Sequence, residues 1–399
     1  MKIGLFIQNY SIGGIQTFLS NLLNNYKNNN KIIIYYNKTH PDINFLKKKI
    51  KRKINYKNYQ IFSIEDQFFK NSSFVNKYIK YIYILINPII FSYQKFKLAQ
   101  LFKKEKLDRL MVINGGYPGG DLCLAASISW YKINPTRKSW HNFHNIAVKK
   151  NKFFLNNFYK NRIDISLKKS TKGFISVSKT CSLSLKKRKE LKKVKVNTIY
   201  NGLDIEKYNI TSIRKELNLK QNSKILLMLA EYDLRKGHKF IIKVMQNILK
   251  VDKNVFLLIC GFYNLENFKK IKSLVNESAA KKNIILSGFR KDKFNLIKQS
   301  DIVVIPSQEF ESFGYVCLEA MGLKKPVVAT NVGGLSEVII NNKTGFVINK
   351  KNDKEFANKI LDLLKNKKLN KFISNNGYKR YNKHFSAKTM SKKYFETII

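Results

Sequence analysis

Short apolar runs alternate with longer stretches whose apolar residues recur at helical spacing. Ile3–Ile7 reads as a first buried strand, followed by a loop over Gln8–Gly14 and a helix over Ile15–Leu23. Further strands are predicted at Lys31–Tyr35, Arg109–Asn114, Arg137–His141, Phe174–Val177 and Lys195–Ile199. Between them, Ile43–Ile54 predicts a helix with Ile43, Leu46, Ile50 and Ile54 on one face and Lys47, Lys48, Lys49, Lys51, Arg52 and Lys53 on the other. That pattern suits a helix lying in a membrane interface, and equally a core-packed helix with a solvated basic face. The longest apolar run, Tyr81–Gln94, is too short for a membrane span and is interrupted by Asn87-Pro88. It predicts a broken helix packed in the core or lying on a bilayer surface.

A second series opens at Lys224–Ala230. It continues through Val255–Cys260, Ile284–Ser287, Asp301–Pro306, Pro326–Thr330 and Gly345–Ile348. Asn201-Gly202, directly after a strand, is a turn signal and marks the boundary between the two series. Strands alternating with helices predict an α/β chain built on doubly wound parallel sheets. The organisation expected is an N-terminal domain over 1–200, a second domain over 201–376 and a helical tail over 377–399.

Chemistry concentrates in Ser307-Gln-Glu-Phe-Glu-Ser-Phe-Gly-Tyr-Val-Cys-Leu-Glu-Ala-Met321, between two of the predicted strands. Loops at the carboxyl ends of parallel strands are where such sheets bind ligands. Gly314 is a helix start, so free N–H groups and the positive helix end would face a phosphate. Glu319 would lie in the first turns of that helix, placed to accept hydrogen bonds from a ribose diol. Glu311 would stay in the loop and face a sugar.

Composition narrows the classes. The 399 residues carry 76 Lys+Arg against 26 Asp+Glu, a formal charge of +50, and are 44% hydrophobic, which is globular and large enough for two or three domains. The basic excess reads either as a bias toward lysine at the surface or as attraction to anionic headgroups or nucleic acid. No zinc-finger spacing, RNP-like strand or concentrated basic tail supports nucleic acid as a partner. Cys123, Cys181, Cys260 and Cys317 are far apart in mostly apolar surroundings and predict small buried thiols in a reduced, cytoplasmic protein. Met1-Lys2 runs directly into the first strand, and no signal peptide is visible.

The sequence Glu311-x7-Glu319-Ala-Met321 followed by Pro326-Val-Val-Ala-Thr330 resembles the signature of retaining glycosyltransferases of family 4, glycosyl transferases group 1. Their fold is GT-B: two Rossmann-like domains facing across a cleft, with a C-terminal helix that packs back on the N-terminal domain. The resemblance is strong from Asn201 to Phe346 and weak from Lys38 to Leu107, where family members build acceptor and membrane contacts. It implies that Lys236, in Lys236-Gly237, neutralises the departing diphosphate. The family's usual arginine position holds Glu231, and a carboxylate cannot replace a guanidinium clamp. Arg235 is the cation that could supply the second charge. Gly13 and Gly14, before the first helix, match the loop that faces the donor. His144, with His141 second, matches a histidine beside the donor sugar. Gly288-Phe289-Arg290 matches a loop that holds the nucleobase. Phe313, Gly314 and Tyr315 complete the donor set with Glu319. Ser176-Val-Ser178 matches a loop on the acceptor side, and Val332-Gly-Gly-Leu-Ser-Glu337 and Lys343-Thr-Gly-Phe346 match two structural turns.

The resemblance implies sugar transfer from a nucleotide diphosphate sugar with retention, with Glu311, Lys236 and His144 at the reacting centre. No metal, cofactor or dedicated base is expected. The acceptor implied is a saccharide or lipid-linked saccharide, in bacterial surface polysaccharide or O-antigen assembly. Such a protein would sit at the inner face of the cell membrane, held to anionic lipid by its lysines. Two rivals stand beside this reading: a catalytically silent scaffold of the same fold, kept open by Glu231, and a non-hydrolysing sugar epimerase.

Overall fold

The computed structural model describes residues 1–10, 13–40, 43–66, 77–148 and 154–399, leaving aside the side chains of 77–85 and 154–157. The chain divides into two compact units, Met1–Asn201 with Ala387–Ile399, and Gly202–Ser386.

In the first unit, β1 (Lys2–Ile7), β2 (Lys31–Asn37), β3 (Asn55–Tyr59), β4 (Arg109–Asn114), β5 (Ser139–Phe143), β6 (Thr171–Ser176) and β7 (Val196–Thr198) form one sheet in the order β3-β2-β1-β4-β5-β6-β7. All these pairings are parallel; Leu5, for instance, lies between Ile34 and Met111. Parallel strands covered on both faces need apolar side chains in both directions, which is why β1 and β4 read as unbroken apolar runs. The helices Gly14–Asn24 and Ala387–Ile398 pack together, with Phe18 edge-on to Tyr394 at 5.0 Å. The Tyr394 hydroxyl accepts a hydrogen bond from Asn142 Nδ2 at 2.9 Å, so a polar group at the centre of the core is satisfied.

The second unit repeats the architecture with β8 (Lys224–Leu229), β9 (Val255–Cys260), β10 (Ile284–Gly288), β11 (Ile302–Ile305), β12 (Val327–Thr330) and β13 (Phe346–Ile348), in the order β10-β9-β8-β11-β12-β13. The order reverses between β8 and β11, which pair directly. That reversal opens a ligand crevice at the carboxyl ends of these two strands. All four cysteines are buried and free, as the sequence predicts.

Four local expectations change. The helix predicted over Ile43–Ile54 stops at Lys49, because Asn24 catches the chain: its Nδ2 donates to the Lys49 carbonyl at 3.0 Å and its Oδ1 accepts from Lys51 N at 2.8 Å. The residues beyond enter β3, whose Asn-Tyr-Lys-Asn-Tyr sequence gives no apolar signal. Leu46 and Ile50 are buried in the core, so that helix uses its apolar face internally. The broken helix at Tyr81–Gln94 is instead continuous, Lys77–Glu105 with Pro88 inside it. Phe91, Gln94, Leu98 and Phe102 turn inward, and the helix packs along helix Asp121–Ile133. The Arg137–His141 strand moves two residues on, to β5. Arg137 lies in a turn, its N–H bonded to Asn134 O at 3.1 Å and its carbonyl accepting from Trp130 Nε1. Finally, residue 377 falls within helix Lys367–His384, and the last helix begins at Ala387.

Candidate functional site

After β8 the chain makes a short 3₁₀ turn, Leu234–Lys236, and enters helix His238–Leu249 through Gly237. Gly237 has φ +89°, and a Cβ there would lie 1.8 Å from the Pro306 carbonyl oxygen. Only glycine lets this turn lie against the end of β11. Gln308 N donates to the Arg235 carbonyl at 2.8 Å and ties the same two loops together. The result brings Lys236 Nζ to 2.7 Å from Glu311 Oε2, with Ser307 Oγ 3.3 Å from the same oxygen. Lys236 and Glu311, singled out separately in the sequence, are thus one ion pair, largely but not wholly removed from solvent.

The Glu311 loop is backed from behind. Gly333, at φ +59°, would place a Cβ 1.9 Å from the Glu311 carbonyl oxygen, and Gly334 N donates to that oxygen at 2.8 Å. Thr330 Oγ1, at the end of Pro326-Val-Val-Ala-Thr330, donates to the Ser307 carbonyl at 2.5 Å. The Gly333-Gly334 turn and the threonine are therefore the mould for the carboxylate loop. Thr344 has a similarly local role, its Oγ1 accepting from Ile340 N at 2.9 Å.

Gly314 is the N-cap of helix Tyr315–Gly322, with φ +102°. Glu319 lies in the second turn, buried, its Oε1 accepting from Lys293 Nζ at 2.5 Å. Lys293 opens helix Lys293–Gln299 and was not legible as a site residue. A carboxylate so buried needs a charged partner, and that requirement is the one signal that could have prompted a search for a lysine. The Phe313 side chain is buried, with ring contacts to Tyr315 and Phe385, so only its backbone can face a ligand.

The two arginines of the expected donor set already hold carboxylates. Arg235 donates from Nε to Asp233 Oδ2 at 2.8 Å and from Nη2 to Glu231 Oε2 at 3.3 Å, and its guanidinium stacks over Phe310. Glu231 thus pairs with Arg235. Arg290 holds Asp292 through two 2.8 Å contacts and grips both oxygens of Glu216. The paired carboxylates raise the Arg290 pKa further and hold its charge in place. Phe289 is exposed and stacks on Phe262 with ring centroids 4.0 Å apart.

In the first unit, Gly13 caps helix Gly14–Asn24, its N–H donating to Gln16 Oε1 at 2.9 Å. Its φ of 173° is ordinary extended backbone, and a Cβ would meet nothing within 4 Å. The His144 ring touches Phe18 of that helix, centroids 4.4 Å apart, and so belongs with the Gly13-Gly14 segment. Its backbone N–H donates to Asn114 O at 3.1 Å. Its Nε2 is out of solvent and has no hydrogen-bond partner among the described residues. Burial pushes the imidazole pKa down to about 3, so it is neutral at pH 7. His141 lies within β5, fully buried, with Nδ1 3.1 Å from Ser127 Oγ, and is a core histidine. Ser178 caps helix Lys179–Lys186 by accepting from Cys181 N at 3.1 Å, and Ser176 Oγ donates to the Ser178 carbonyl at 3.0 Å; both serines serve the local fold.

Residues 209–380 match the family model described as Glycosyl transferases group 1. An uncharacterised glycosyltransferase of Methanocaldococcus jannaschii is 28% identical over 207 residues, 50% of this chain and 52% of that protein. The capsular polysaccharide biosynthesis glycosyltransferase CapM of Staphylococcus aureus is 28% identical over 195 residues, 47% of this chain and 50% of CapM. The chain thus spans about half the length of these curated relatives. The crystal structure of HepE from Anabaena in complex with UDP superposes with a TM-score of 0.76 at 19% identity, covering 100% of this chain and 99% of that one. Two parallel-sheet units of this kind are the GT-B fold, and residues 209–380 of the second unit are similar to Glycosyl transferases group 1.

Proposed function

We propose that the protein is a glycosyltransferase that moves a hexosyl group from a nucleotide diphosphate sugar to a saccharide acceptor with retention of configuration. The observation that carries this is the Lys236–Glu311 pair, set at the carboxyl ends of β8 and β11 beside the Gly314 helix start. In this reading the ammonium of Lys236 and the N–H groups at the head of helix Tyr315–Gly322 counter the charge on the departing diphosphate. Glu319 holds the ribose, and Glu311 holds donor sugar hydroxyls. The bond from the sugar C1 to the phosphate oxygen breaks while the acceptor oxygen bonds C1 on the same face. The acceptor proton passes to the leaving phosphate. Lys236 and the helix end supply the charge compensation, so the scheme calls on no metal or added cofactor. His144, neutral and without a hydrogen-bond partner at Nε2, is offered as a contact to the donor sugar.

The acceptor proposed is a lipid-linked saccharide in surface polysaccharide assembly. CapM, a capsular polysaccharide biosynthesis glycosyltransferase, supports the surface-polysaccharide part of this reading. The protein would work in the cytoplasm, peripheral to the inner face of the membrane. Among the described residues no helix is long and apolar enough to cross a membrane.

Turnover of a nucleotide-sugar panel, followed as release of the nucleoside diphosphate, tests the reaction. Wild type is expected to consume one donor, with Glu311→Gln reduced by about a hundredfold or more. Equal turnover by the variant would remove Glu311 from the reaction. A second reading, a silent scaffold of the same fold, is favoured by the Glu231–Arg235–Asp233 network, which neutralises the cation that could supply the second charge. Absence of turnover together with absence of nucleotide binding would establish it.

A further inference from the structure

Two lysine–carboxylate pairs flank the Gly314 helix start, and they are built differently. The Lys236 and Glu311 side chains are about equally exposed. In the other pair the Glu319 side chain is 5% exposed and that of Lys293 37%. A carboxylate so deep needs a paired cation. Lys293 Nζ supplies it at 2.5 Å from Oε1, and also lies 4.9 Å from the centre of the buried Phe294 ring. Among the described residues, Glu319 Oε2 accepts no hydrogen bond. The carboxylate is therefore held through one oxygen and open to a ligand at the other.

The chain around Lys293 is pinned. Lys293 is the first residue of helix Lys293–Gln299, and Asp292 before it is held by Arg290 through Nε and Nη2, each at 2.8 Å. Arg290 is itself anchored on both oxygens of Glu216. Asn295 Nδ2 donates to Asp292 Oδ2 at 3.3 Å and to Thr211 Oγ1 at 2.9 Å, and its Oδ1 accepts from Thr211 N at 3.0 Å. These bonds fix the point from which the lysine side chain reaches Glu319. A long, flexible side chain gives up rotamer freedom to hold one oxygen, and a fixed origin with the Phe294 ring beneath it reduces that loss. Arg290 thus serves the placement of Lys293.

We infer that Lys293 is a positioning residue for ribose recognition: it fixes Glu319 so that Oε2 accepts from a ribose hydroxyl, and it thereby sets the preference for ribonucleotides over deoxyribonucleotides. The inference rests on the proposed reading of Glu319 as the ribose ligand. A site built to hydrogen-bond a hydroxyl rejects the analogue that lacks it. Without the ammonium, the buried carboxylate turns toward water or gives up its charge, and the rejection weakens. UDP, GDP and ADP, with their 2′-deoxy and 3′-deoxy forms, would be titrated calorimetrically into the full chain. Wild type is expected to bind one of the three at least about tenfold more tightly than one of its deoxy forms, as a hydrogen bond to a charged group provides. In Lys293→Met that ratio should fall below about threefold, and Lys293→Arg should restore most of it. Adding Lys293→Met to Glu319→Gln should change neither affinity nor ratio further, because Lys293 acts through Glu319. Circular dichroism checks folding, and the double variant, which leaves no buried charge unpaired, keeps the test decisive if Lys293→Met alone does not fold. Three results would overturn the inference: an unchanged ratio in Lys293→Met, which makes the pair purely structural; tighter binding by Lys293→Met, which means that the ammonium covers Glu319; or weaker binding by the double variant than by Glu319→Gln, which means that Lys293 touches the nucleotide itself. In each of these wild type still binds, so the transferase reading stands. Failure of wild type to bind any of the three nucleotides would remove both.

Discussion

Replacing Gly237 by alanine should damage the site through its backbone. Two costs act together. At φ +89° an L-residue is disfavoured by about 1–2 kcal/mol relative to glycine. The new Cβ also lies 1.8 Å from the Pro306 carbonyl oxygen, so one of two backbone segments must move by more than an ångström. Overpacking of that kind costs about 1–3 kcal/mol. Alanine returns about 0.4–1 kcal/mol by restricting the unfolded chain. The net expectation is a loss of about 1–5 kcal/mol in the second unit, which corresponds to about 2–18 °C in thermal midpoint for a domain of its size. Differential scanning calorimetry reads that shift. Because Pro306 leads directly into Ser307 and Glu311, nucleotide affinity should fall with stability. Gly13→Ala is the contrast: extended backbone and empty space predict a midpoint within about 1 °C of wild type. A midpoint for Gly237→Ala that also matches wild type would refute the reasoning, since neither the left-handed turn nor the contact with Pro306 would then matter.

Two further outcomes follow from charge. Burial pushes the His141 pKa to about 3, below its unfolded value near 6.5, so below pH 6.5 the unfolded chain takes up a proton that the folded chain refuses. Its stabilising contribution is complete above that pH and is lost as pH falls from about 6.5 toward 3, at up to about 1.4 kcal/mol per pH unit. Denaturant unfolding at pH 4.5, 5.5 and 6.5 should show a steeper loss for wild type than for His141→Gln; parallel slopes would contradict the assignment. Glu231→Ala removes one of the two carboxylates that hold Arg235, and a nucleoside diphosphate should then bind about threefold to tenfold more tightly by calorimetry. Unchanged or weaker binding would show that Arg235 does not reach the phosphates.

Much of this was written in the apolar pattern. Buried parallel strands need continuous apolar runs, so β4 and β9 are found to the residue, and Gly314 marks the helix start because its left-handed backbone needs glycine. The edge strand β3 was not legible, since its polar residues carry no such run. Neither was the end of helix Ile43–Lys49, which Asn24 fixes from a distant segment. Within the site, Lys236 and Glu311 are marked by their motifs, but their pairing needs the loop contact at Pro306. Lys293 could not be picked out among 76 basic residues, because only the fold brings it to Glu319. Arg235 reads from the sequence as an available cation for the converse reason: the fold brings Glu231 and Asp233 to hold it.

The central claim is that Lys236 and the Gly314 helix head form a nucleoside diphosphate site. Calorimetric titration of UDP, GDP and ADP into wild type and Lys236→Ala tests it most directly. The account predicts that one of the three binds wild type and binds Lys236→Ala at least about tenfold more weakly, as loss of a charge-assisted phosphate contact requires. Failure of all three to bind wild type, or equal binding by the variant, would contradict it.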